Sequence, residues 1–65
     1  MEPAILRYFE YHHLQPKLQV ISEPFYGLAN HLIQTLPAGP ELSAGLRKLL
    51  EAKDCAVRAA LDLEV

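Results

Sequence analysis

Apolar residues recur along this chain with the period of a helix, in two blocks separated by one break. In the first block Leu18, Ile21, Phe25, Leu28, Leu32 and Leu36 are spaced 3, 4, 3, 4 and 4 residues apart. That spacing lays them on one stripe of an α-helix. Pro16 suits the first turn, where a missing N–H costs nothing. Pro24 is awkward, because inside a helix it removes a hydrogen bond and clashes with the carbonyl four residues back. Either the helix bends there, or a short turn ends at Ser22 or Glu23 and a second begins. The pattern favours a kinked helix from about Pro16 to Thr35.

In the second block Leu42, Leu46, Leu49, Leu50, Val57, Ala60 and Leu61 fall within a band about 100° wide. This predicts a helix from Pro40 to about Leu63. Arg47–Glu51 and Asp54–Arg58 are opposite charges four apart on its surface, each pair worth a few tenths of a kcal/mol. The break between the blocks, Leu36-Pro37-Ala38-Gly39-Pro40, combines two prolines and a glycine. The expected fold is therefore all-α and a single domain overall. Residues 16–65 form an αα-hairpin, and residues 1–15 form a short helical or extended arm.

Size limits how such a hairpin is stabilised. A chain of 65 residues buries only about 60% of the surface its unfolded form exposes. One Cys excludes a disulfide framework and a zinc knuckle. Helix packing and oligomerisation remain, so assembly into a helical oligomer is expected. Ala52, Cys55, Ala56, Ala59 and Ala60 add a surface of small side chains beside the main stripe. It is either a seat for a partner helix or ordinary alanine on a solvent face.

The net charge of −2 argues against a general DNA or RNA coater, which needs a basic excess. It leaves room for a small anion held by a few placed cations. No apolar run approaches the roughly 20 residues needed to cross a bilayer. The start of the chain also lacks the features of a signal peptide, so a soluble cytosolic protein without a membrane partner is expected. No phosphate-binding glycine loop, CxxC or H-E-x-x-H is present. Cys55 lies among alanines in mid-helix, where a thiolate gains nothing from a helix N-terminus. His12 and His13 diverge by about 100° if helical, which does not favour one shared metal, and His31 stands alone. No enzyme, metal or cofactor is expected.

The arm is richer. Arg7, Tyr8, Phe9, Tyr11, His12, His13 and Lys17 lie within eleven residues. Aromatic faces stack on bases, and Arg, Lys and His reach phosphate. The alternative is that Tyr8 and Phe9 cover the open end of the hairpin core, which for Phe9 is the favoured reading. For Tyr11 and His12 spacing alone does not choose. Lys53 is the one charge inside the second apolar stripe. It either reaches water along its stem or lines a pocket between subunits and meets a phosphate.

The order of several short strings carries a resemblance. Phe9-Glu10-Tyr11-His12 is followed by Gly27-Leu28-Ala29, Leu36-Pro37 and Glu41-Leu42-Ser43. Then come Leu46-Arg47-Lys48-Leu49-Leu50-Glu51-Ala52-Lys53-Asp54 and Ala59-Ala60. Together they resemble the hairpin-domain cyclic-nucleotide sponges by which phages inactivate CBASS, a bacterial defence that signals through cyclic oligonucleotides. The resemblance covers roughly residues 9 to 61. It implies a compact hexamer in the cytoplasm of an infected bacterium that binds cyclic di- or trinucleotides without cutting them.

The same resemblance assigns base stacking to Tyr11, beside His12. The basic residue two positions before the Leu-Ala pair is Tyr26 here, and an Arg one turn earlier is Ser22. Tyr26 then adds stacking, and Lys17, Arg47 or Lys53 supplies charge from a neighbouring subunit. Cys55 replaces a Trp of the second helix. The candidate nucleotide-binding residues are thus Tyr11, His12, Tyr26, Arg47 and Lys53. The competing expectation is a small phage or prophage accessory protein that acts by protein–protein contact alone.

Overall fold

Prolines set the element boundaries. In the computed structural model, which describes residues 4–62, a 3-10 helix spans Ala4–Phe9, α1 spans Pro16–Thr35 and α2 spans Pro40–Asp62. Pro16 occupies the first turn of α1, and the Gln15 carbonyl accepts from the amides of Leu18 and Gln19, both at 2.9 Å. Leu36 ends the helix in an extended conformation, as the steric demand of Pro37 on its predecessor requires. Its amide still closes on the Leu32 carbonyl at 3.0 Å. Pro40 then opens α2, with the Gly39 carbonyl accepting from Ser43 N–H at 3.0 Å. Leu63 lies outside the described residues.

The helix α1 runs through Pro24 without a break, so the two-helix alternative does not hold. Glu23 and Pro24 both lie on the exposed side. There water can reach the carbonyl that the missing N–H frees.

The arm is more than a tail. Leu6 and Phe9 are three apart, and in a 3-10 helix such residues eclipse on one edge. That edge inserts against the hairpin, and Leu6, Phe9, Ala29 and Leu46 form the centre of the core. Phe25, Tyr26, Leu32, Ile33, Leu42, Leu49 and Leu50 pack around it. Phe9 is fully enclosed, in keeping with its expected role as a cover, whereas Tyr8 is 66% exposed. On α2 the predicted stripe is the buried one, with Leu46 at its centre, although Leu61 at its end is exposed.

The buried face of α1 follows only part of the predicted stripe, with Leu18 buried and Phe25 and Leu32 packed on the core. Leu28 and Leu36 are 45% and 48% exposed, while Ser22 and Ala29 are fully enclosed. The buried seam is turned about 50° from the centre of the predicted stripe, at 100° per residue. Small side chains let a neighbouring element approach closely, and α1 must meet both α2 and the arm. The seam therefore follows Leu18, Ser22 and Ala29.

Enclosing Ser22 has a cost, since its Oγ is buried with no hydrogen-bond partner. Ser22→Ala removes that orphaned hydroxyl and improves helix propensity, so stability should rise by about 1 kcal/mol. Urea unfolding measures it. A loss of stability instead means the hydroxyl has a partner in the assembled protein.

The described part measures 41 × 19 × 16 Å. Among the described residues no helix is long and apolar enough to cross a membrane.

Candidate functional site

Between the 3-10 helix and α1 the chain must reverse within six residues. The Glu10 amide reaches the Arg7 carbonyl at 3.3 Å, and the Leu14 amide reaches the Tyr11 carbonyl at 3.0 Å. The second bond closes a turn with His12 and His13 at its centre. Gln19, near the start of α1, fastens this turn with its side-chain amide. Its Nε2 donates to the Leu14 carbonyl at 2.7 Å and approaches the His12 carbonyl at 3.4 Å.

The turn brings Tyr11 and His12 into a stack, with ring centroids 4.3 Å apart and planes 25° from parallel. Tyr26, from the middle of α1, meets Tyr11 edge to face at 5.7 Å and 69°. Both geometries are favourable arrangements for aromatic quadrupoles. Tyr11 and Tyr26 are half-buried and His12 is exposed. The cluster therefore has its root in the core, since Tyr26 packs against the core cluster, and its tip in solvent. His12 stacks on Tyr11 and is itself exposed, so the imidazole is the solvent-facing ring of the cluster. Two phenolic hydroxyls and the imidazole nitrogens supply hydrogen bonding around it.

Three of the five candidate residues thus come together, and two do not. Arg47 lines a separate cavity of 340 Å³ at the turn end of the hairpin, with Ile5, Ala38, Gly39, Leu42, Ser43 and Leu46. Lys53 is only 8% exposed, and its Nζ donates to the Tyr8 carbonyl at 2.7 Å. Within the single chain its ammonium is engaged by the arm. The last carbonyls of a helix lack partners within it, and an ammonium inside an apolar stripe requires an acceptor. Each satisfies the other's need.

Comparison with known protein families, curated proteins and solved structures finds no match. The site is therefore read from its own residues.

Sequence reasoning missed Gln19, whose only sign is a long amide one turn inside a helix that follows a turn. Arg7 was singled out only as a member of the arm. It lines a polar hollow of 280 Å³ with Ala4, Tyr8 and Glu10, one turn of chain before Tyr11. Ser22, the position where the resembled family carries an Arg, lies fully inside. A cation there would have no water to reach. The exposed Cys55 accepts a hydrogen bond from Arg58 Nη2 at 3.4 Å. Among the described residues no three His, Cys, Asp or Glu side chains gather as a metal site requires.

Proposed function

We propose that this protein is a non-enzymatic sponge. It binds cyclic di- or trinucleotide messengers and withholds them from a CBASS-type defence in the cytoplasm of an infected bacterium. The observation that carries this reading is the Tyr11–His12 stack braced by Tyr26. It is a solvent-facing platform of the kind on which bases stack, each contact contributing about 1–3 kcal/mol. The order of strings shared with the sponge family supports the same reading.

Sequestration needs no chemistry. A binder that lowers free messenger below its effector's dissociation constant silences the effector by mass action.

The working unit of this reading is an oligomer, a hexamer if the resemblance extends to assembly. Among the described residues only Leu6, Phe9, Leu18, Ala29 and Leu46 form the apolar interior. A core of this size rarely supplies more than about 3–5 kcal/mol. Val20, Leu28, Leu36 and Leu61 stay exposed, as do Ala52, Cys55 and Ala59. These exposed residues also favour the second reading, an accessory protein that binds a host protein and no nucleotide.

One experiment separates the readings. The protein is mixed with cyclic di-AMP, cyclic di-GMP, cyclic GMP–AMP and cyclic tri-AMP, binding is measured, and the protein is then denatured and the nucleotide analysed. The expected result is binding with intact nucleotide recovered, and sedimentation of the complex well above 7.3 kDa. Cleaved nucleotide would make it an enzyme. No binding to any of them would leave the interaction module.

A further inference from the structure

We propose that Lys53 and Gln19 are positioning residues that hold the Tyr11–His12 platform from its two ends. The inference rests on the sponge reading for its ligand but not for its geometry.

The platform sits in a linking segment with little regular structure of its own. A lone turn of this kind opens and closes readily unless other groups hold it. One ammonium and one side-chain amide do so, one from each long helix. On the N-terminal side Lys53 of α2 takes the Tyr8 carbonyl at 2.7 Å, across 45 positions of sequence. On the C-terminal side Gln19 of α1 takes the Leu14 carbonyl at 2.7 Å and leans on the His12 carbonyl at 3.4 Å. Tyr11 and His12 lie between the two fastened carbonyls.

The two fasteners differ in kind. Lys53 is buried and charged, and hydrogen bonds from charged donors are roughly twice as strong as neutral ones. Phe9, enclosed one residue beyond Tyr8, anchors the same point by packing. Gln19 is half-buried and neutral, and it controls the turn itself. Lys53 thus fixes where the arm leaves the core, and Gln19 fixes how the chain folds back onto α1. Their effect on a ligand passes entirely through the stacked rings.

Lys53→Met keeps the stem and removes the donor, and Gln19→Met does the same for the amide. The direct readout uses the ligand-free protein: the NMR shifts of the His12 ring protons, which the Tyr11 ring current displaces. In each variant these shifts should move toward unstacked values while helix content by circular dichroism is retained. Apparent affinity falls with the populated fraction of the competent platform. The Kd for the tightest of the four cyclic nucleotides should therefore rise about tenfold when the stack is formed a tenth of the time.

Unchanged His12 shifts in both folded variants would overturn the proposal, whatever the nucleotides do. If Lys53→Met does not fold, Gln19→Met alone decides, and an undisturbed stack there overturns it. Wild-type protein that binds none of the four nucleotides sinks the sponge reading only, because the ring shifts still report on the two fasteners.

Discussion

Phe9→Ala should leave the isolated chain unfolded at 25 °C. Phe9 is fully enclosed and meets Leu6, Ala29 and Leu46 at the centre of the core. Truncating a buried Phe costs about 3–5 kcal/mol, the transfer term plus the cavity left behind. That is roughly the whole stability a core of this size provides. The arm, α1 and α2 all contribute side chains to the cluster, so no pair of elements retains a complete core without it. Phe9→Leu keeps most of the volume and should remain folded, with a loss below about 1.5 kcal/mol. Urea titrations followed by circular dichroism at low micromolar protein measure both. A Phe9→Ala chain that melts close to the wild type would mean that the arm is dispensable and the hairpin stands without it.

Tyr11→Ala should do the reverse, sparing the fold and damaging the ligand site. Tyr11 is half-buried and outside the central cluster, but it is the ring that meets both others, stacked with His12 and edge to face with Tyr26. Removing it takes away both ring contacts. Affinity for the cyclic nucleotide should fall by about 1–3 kcal/mol, roughly 5- to 150-fold in Kd. Helix content and sedimentation should stay as in the wild type. His12→Ala removes the outer surface alone and should act in the same direction. Isothermal titration of both variants tests this. Wild-type affinity in Tyr11→Ala would show that the bases bind elsewhere, and the cavity beside Arg47 would become the next place to look. An unfolded Tyr11→Ala protein would make Tyr11 part of the core.

Much of the architecture was determined by the sequence acting locally. A period of 3.6 in the apolar positions and the placement of Pro16, Pro37 and Pro40 define α1 and α2, because steric exclusion and missing donors operate between near neighbours. The candidate role of Phe9 as a cover was legible from its place in an aromatic arm. The inward face of α1 was legible only in part. Leu18, Phe25 and Leu32 of the predicted stripe do turn inward. Leu28 and Leu36 stay exposed and the interior takes Ser22 and Ala29, because close approach by two other elements selects small side chains over large ones.

The site divides in the same way. Tyr11 and His12 are adjacent in sequence, so their joint role was visible there, whereas Tyr26 joins them only through the packing of α1 beneath the turn. Lys53 carried the strongest local signal of any charged residue, a cation inside an apolar stripe. Its acceptor is a backbone carbonyl 45 residues away. Every residue has such a carbonyl, so no residue type marked which one it would find. Only the docking of the arm against α2 brought that carbonyl to it, and with it gave this cation a fastening role within the single chain.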